Sequence, residues 1–124
     1  MANVETAIIN TSELLLGDNE FEAGVLKDVP GEKTIKAGTF LKRDGDKFAV
    51  LQTPASETVV ALVPFDVKNE KDSTADVPFR ALISGKVRAD KVLVGENVAT
   101  AEQLDMLRSC AIIPIKVSDV SGVK

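Results

Sequence analysis

The pair Asp44-Gly45 constrains the fold of this chain more than any other feature of the sequence. It stands between two segments, 34–42 and 47–51, in which polar and apolar residues follow one another as they do in β-strands. Asp-Gly between such segments is a strong signal for a β-hairpin, because both central residues of a type I′ turn require positive φ angles. The sequence therefore predicts two antiparallel strands joined at Asp44-Gly45.

Short apolar segments separated by turn residues predict a series of short strands from residue 21 onward. The segment 58–63 is β-branched and apolar on both faces, which is typical of a buried central strand. The charged segment 67–76 is expected to form a surface loop, and alternating residues predict a further strand over 77–87.

One helix is expected near the end of the chain. Thr100 and Gln103 have the spacing of a capping box, in which each side chain satisfies a backbone N–H of the first turn. The helix is expected to end near Ser109-Cys110 and to be followed by a last strand, 111–117, which Pro114 places at a sheet edge or a bulge. The apolar face of this helix comprises Leu104, Met106, Leu107, Cys110 and Ala111.

The predicted fold class is therefore α+β: a small β-rich single domain with one or two short helices and an extended N-terminal arm. A length of 124 residues suits one domain. Seven acidic residues and one basic residue lie within 1–32, whereas the remainder carries a net charge of +2. On this basis the chain is divided into an N-terminal arm, 1–20, and a β-rich domain, 21–124.

The arm contains two apolar clusters that are candidate binding residues. They are too apolar for a purely solvated tail and too short for an independent core. One hypothesis is that the arm supplies a strand to the sheet edge of a partner. The alternatives are a solvated segment or an edge strand of the protein's own domain. The clusters consist of Ile8, Ile9, Leu14, Leu15 and Leu16.

The composition argues against an enzyme. The chain has no His and one Cys, Cys110, so imidazole-based triads, imidazole zinc sites and an internal disulfide are excluded. Asp44 and Asp46 lack the twelve-residue loop of a calcium site. We expect no catalytic residue, no metal and no cofactor.

Nucleic acid and membranes are not expected as partners. The basic residues Lys86, Arg88 and Lys91 have no aromatic neighbour in sequence, and Phe65 and Phe79 are expected in the core. The longest apolar runs are too short to span a membrane. The N-terminus also lacks the basic and apolar regions of a secretory signal, so synthesis in the cytoplasm is expected.

Several segments in succession resemble the head decoration proteins of tailed phages, of the lambda type. The resemblance covers about residues 21–117 and is carried by 35–41, 44–50, 59–63, 79–88 and the short helix with 112–115. It implies a non-catalytic subunit that forms a homotrimer on the outer surface of the expanded capsid and clamps neighbouring subunits of the major capsid protein. It also implies a virion location and an N-terminal arm that orders by pairing with a capsid strand.

A second hypothesis is a small β-sandwich carrier or ligand-binding module without catalysis. Glycine-punctuated strands resemble the domains that carry lipoyl or biotinyl groups on a lysine at a hairpin tip. The tip here, 43–47, lacks the residues that flank the modified lysine in that family.

Overall fold

Two long antiparallel strands, β1 (Leu15–Val29) and β7 (Ala75–Arg88), lie side by side in the computed structural model, which describes residues 14–54 and 57–116. The prediction that strands begin at residue 21 and are all short is wrong, because β1 begins six residues earlier. The register between the two strands shifts at four places. Each shift interrupts the alternation by which a single long strand is recognised in sequence.

Three further strands close these two into a barrel-like sheet. They are β3 (Phe40–Asp44), β4 (Lys47–Val50) and β5 (Ala61–Leu62), in the order β1-β4-β3-β5-β7, and β1 pairs in turn with β7. The strand β10 (Ile112–Ile115) lies parallel to β7 outside this ring and forms a sheet edge. The prediction of a small, β-rich single domain is confirmed.

Smaller elements complete the described part of the chain. Along the chain, the strands of the main sheet are connected by segments that form two two-stranded ribbons, two 3-10 turns and one helix. No helix in the described residues is long and apolar enough to cross a membrane. These elements are β2 (Thr34–Ile35) paired with β6 (Val67–Lys68), β8 (Leu93–Val94) paired with β9 (Asn97–Val98), the helix α1 (Ala101–Leu107), and the 3-10 turns Ala89–Lys91 and Arg108–Cys110.

The predicted hairpin is confirmed, with a turn one residue later than expected. Asp44 pairs with Lys47 as the last residues of β3 and β4, so the loop consists of Gly45 and Asp46. Of these two, only Gly45 has a positive φ, +65°. Glycine at the first loop position is the arrangement of type II′ turns, whereas the sequence suggested type I′.

The expected strand 34–42 is divided into β2 and β3. The division lies at Gly38, whose φ is +96°, a conformation that ends the extended run.

The predicted helix forms as expected: the Gln103 N–H donates to Thr100 Oγ1 over 3.3 Å, and the Thr100 N–H donates to Gln103 Oε1 over 2.8 Å. Pro114 lies in the edge strand β10, as predicted.

The core lies on both faces of the sheet. Adjacent residues of one strand point to opposite faces, and Ala61 and Leu62 of β5 belong to different buried clusters. Both side chains are completely buried. The prediction of a central strand that is buried on both faces is therefore confirmed, although the paired part of the segment is only two residues long.

Asn69 is a buried polar residue inside the segment that the sequence predicts to be a charged surface loop. Its side chain is 3% exposed. The amide Nδ2 donates to the Val29 carbonyl over 2.9 Å and to the Ser73 carbonyl over 2.6 Å, and Oδ1 accepts from the Lys71 N–H over 2.9 Å. The Asn69 amide thus fixes the loop before β7 to the end of β1.

We expect Asn69→Ala to lower the free energy of unfolding by about 2–3 kcal/mol, because the substitution leaves buried backbone groups without a partner. Urea unfolding followed by circular dichroism measures the loss. Glu70→Ala changes the exposed neighbouring residue and is expected to cost less than about 0.5 kcal/mol. Equal losses for the two variants would contradict the role of the Asn69 amide.

Candidate interaction surfaces

The carboxylates of the β3–β4 side of the barrel are held in ion pairs. Lys27 Nζ lies 2.9 Å from Asp44 Oδ2, and Lys42 Nζ lies 2.7 Å from Glu57 Oε2. A hydrogen bond from each lysine lowers the pKa of its carboxyl partner below the ordinary value. These carboxylates are therefore ionised at neutral pH, which suits structural pairing and does not suit the role of a general acid.

Cys110 lies at the end of the 3-10 turn that follows α1, on the half-buried face. Its Sγ–H donates to the Leu107 carbonyl over 3.2 Å, and burial raises the pKa of the Cys110 thiol. A raised pKa decreases the thiolate fraction on which nucleophilic chemistry depends. Among the described residues, no group of three or more His, Cys, Asp or Glu side chains is placed to hold a metal ion.

The tip of the β3–β4 hairpin, where a carrier domain presents its lysine, is fixed by contacts with the barrel. Lys47 Nζ lies 2.7 Å from Asp76 Oδ2, and this hydrogen bond raises the pKa of the Lys47 ammonium. The Arg43 guanidinium lies 4.3 Å from the ring centroid of Phe48. A lysine held in this way is less suited to carry a swinging prosthetic group.

The structure places three of the five candidate arm residues on the folded body. Leu14 is 4% exposed and belongs to a core cluster. Leu15 and Leu16 are half-buried at the start of β1, with Leu15 opposite Val87 of β7. Ile8 and Ile9 lie outside the described residues.

Residues 14–20, which the sequence assigns to the arm, are thus joined to the sheet. The division between 1–20 and 21–124 falls inside β1. The physical reason is that Leu14 and Leu15 obtain backbone partners from β7, a strand that lies more than sixty residues later in the chain.

Both ends of the described chain lie at the same end of β7. The Arg88 N–H donates to the Leu14 carbonyl over 2.8 Å, and Leu15 pairs with Val87 on one edge of the strand. Ile115 of β10 pairs with Arg88 on the other edge. Leu14, to which the segment 1–13 is attached, therefore lies across β7 from the edge strand β10.

Phe65 is exposed, and the prediction that it lies in the core is wrong. Its side chain is 59% exposed, and its ring stacks on that of Phe21 with the centroids 6.4 Å apart. The Ala37 N–H donates to Asp66 Oδ1 over 2.8 Å, so the residue after Phe65 is anchored. The flanking Pro64 and Asp66 are turn residues, and this is the signal by which the sequence could have placed Phe65 outside the strand.

Comparisons of this chain with family models, with curated proteins and with solved structures find no match.

Proposed function

We propose that this protein is a structural virion protein that binds the outer surface of an expanded phage capsid. It stabilises the capsid by clamping neighbouring subunits of the major capsid protein. The proposal rests on the resemblance of segments within residues 21–117 to head decoration proteins of the lambda type. It includes an extended N-terminal arm and a homotrimeric state.

The position at which the N-terminal segment joins the body is the main structural support for this proposal. Thirteen residues that include Ile8 and Ile9 precede Leu14, and they join the body beside the end of β7. A capsid-bound protein needs a stable body and a segment that offers backbone hydrogen bonds to a neighbouring strand. In a homotrimer three such segments act together, so each contact can be weak while the whole assembly binds tightly.

The ion pairs around β3 and β4 also support a structural role. The described carboxylates that have shifted pKa values, Asp44, Glu57 and Asp76, are each bound by a lysine. These pairs lie at the surface, where each contributes little to stability. They lower the pKa values of the three carboxyl groups, which are therefore unsuited to donate a proton. A decoration protein requires rigidity and self-association and needs no reactive group.

Two measurements test the proposal. Native mass spectrometry at tens of micromolar is expected to give three times the 13.2 kDa mass of the chain. Expanded capsids of tailed phages that lack their own decoration protein are expected to retain the protein on co-sedimentation and to withstand a higher temperature when it is bound. A monomeric mass, or capsids that neither bind the protein nor gain heat resistance, would overturn the proposal.

A further inference from the structure

Phe65 separates two hollows on the surface of the barrel. Together we call them the Phe65 groove. The first has a volume of about 350 Å³ and the second about 520 Å³, and both are bordered by Pro64, Phe65 and Asp66. These volumes lie in the range of sites that take small ligands or side chains. Phe65 is one of three large apolar side chains that are exposed in the described residues, and it borders both hollows.

Each hollow combines an apolar floor with two cations. In the first, Phe21, Val77, Pro78 and Phe79 supply the apolar surface, and the cations are Lys68 and Arg80. The Arg80 guanidinium lies 5.1 Å from the ring centroid of Phe21, so its charge is held against the aromatic wall. The second hollow is lined by Leu14, Leu15, Ala37 and Leu93, with the cations Lys36 and Lys91.

None of the four groove cations forms a salt bridge among the described residues, and the same holds for Lys33, Lys71 and Lys116 outside the groove. The groove differs from those sites in placing its cations beside an exposed aromatic ring.

The two carboxylates that line the groove offset its four cations only in part. Asp90 is paired with Arg88, whose Nη2 lies 3.0 Å from Asp90 Oδ2, and Asp66 keeps its charge while it accepts the Ala37 N–H over 2.8 Å. The groove is therefore a cationic surface on a protein whose net charge is −4. Such a surface is complementary to an acidic ligand.

We propose that the Phe65 groove binds an extended acidic segment of another protein, with a pair of bulky apolar residues between carboxylates. The apolar side chains pack against Phe65 and Phe21, and carboxylates on their two sides pair with Arg80 and with Lys36. This inference is independent of the capsid proposal, because it uses neither the N-terminal segment nor the homotrimer.

The lining favours a peptide over a single-stranded nucleic acid, which also binds aromatic and basic surfaces. Pro78, which is exposed, offers apolar surface that suits an aliphatic or aromatic side chain.

The test uses the full chain and fluorescent hexapeptides. The probe carries Leu-Phe between two pairs of acidic residues; one control peptide has basic residues in place of the acids, and another has Ala-Ala in place of Leu-Phe. Fluorescence anisotropy is expected to show saturable binding of the acidic Leu-Phe probe and binding at least about tenfold weaker for both controls, a difference of about 1.4 kcal/mol.

Matched variants locate the binding. Phe65→Ala and Arg80→Glu are each expected to weaken binding of the acidic probe about tenfold. Lys71→Glu makes the same charge change at an exposed lysine outside the groove and is expected to leave the affinity within about twofold. Thermal melting checks folding, and Phe65→Ala is expected to melt like the original protein because the side chain is exposed.

Four results would overturn the proposal. Equal affinity of the probe for the original protein and for Phe65→Ala would remove the groove from the binding site. Tighter binding of an oligothymidine than of the acidic probe would assign the surface to nucleic acid. A gain in probe affinity of at least about tenfold in Glu5→Lys/Glu13→Lys would assign the groove to the chain's own N-terminal segment. A lower native mass of Phe65→Ala would assign it to a second copy.

Discussion

Gly38→Ala is expected to lower the free energy of unfolding by about 3–5 kcal/mol. The φ angle of Gly38 is +96°, a conformation that costs other residues about 1–3 kcal/mol. A Cβ at this position would also overlap the Lys91 carbonyl oxygen, and it would lie 3.0 Å from the carbonyl carbon and 3.3 Å from Val92 Cα. These are backbone atoms, so relief requires movement of the chain, which costs about 1–3 kcal/mol more.

The close approach at Gly38 is fixed by hydrogen bonds on both of its sides. The Gly38 N–H donates to the Val63 carbonyl over 2.7 Å, and the Leu93 N–H donates to the Gly38 carbonyl over 2.8 Å. A backbone shift that accommodates a methyl group would lengthen these bonds. Urea unfolding followed by circular dichroism gives the loss.

Gly45→Ala is the matched control. Gly45 also has a positive φ, +65°, but a Cβ there meets no atom within 4 Å. Its expected cost is therefore only that of the conformation, about 1–2 kcal/mol. A Gly38→Ala variant that loses no more stability than Gly45→Ala would show that the approach of Lys91 is without consequence.

Local sequence signals were sufficient to predict the hairpin and the helix. Asp44-Gly45 and the Thr100–Gln103 pair act over two to four residues, and their hydrogen bonds form within the same segment. The burial of Ala61 and Leu62 followed from the apolar character of both faces. In each case the residues that determine the local structure lie within the segment itself.

Features that depend on distant partners could not be predicted in this way. Strand β1 is long because β7 pairs along its whole length, and its bulges disguise it in sequence. From sequence alone Gly38 resembles an interior strand residue, because the Lys91 carbonyl that requires glycine there comes from a distant segment of the chain. From sequence alone Asn69 resembles a surface loop residue, because the Val29 carbonyl that its amide binds lies forty residues earlier in the chain.

The candidate surfaces were predicted in part. The Leu14–Leu16 cluster was recognised as too apolar for a solvated tail, and the structure shows that Leu14 contributes to the core. The Phe65 groove was missed, because it joins residues of β1, β7 and the 64–66 turn. No short pattern in the sequence indicates that two pairs of cations line the two hollows beside Phe65.

Deletion of residues 1–13 is expected to weaken capsid binding about a hundredfold and to leave the body folded. In the proposed homotrimer, loss of three linked segments would remove the gain from simultaneous binding, which amounts to about 10²–10⁴ in affinity. The deletion retains Leu14, whose carbonyl accepts the Arg88 N–H over 2.8 Å, and therefore preserves every contact described for β1. Co-sedimentation with expanded capsids gives the affinity, and thermal melting gives the stability.

Two variants separate the roles of the N-terminal segment and of Leu14. Ile8→Asp/Ile9→Asp in the full chain is expected to weaken capsid binding without a change in melting temperature. Leu14→Ala is expected to lower the free energy of unfolding by about 2–4 kcal/mol, because the side chain is 4% exposed and fills the core. If the protein without residues 1–13 binds capsids as tightly as the full chain, the segment is not the docking element, and the capsid contact must lie on the barrel itself.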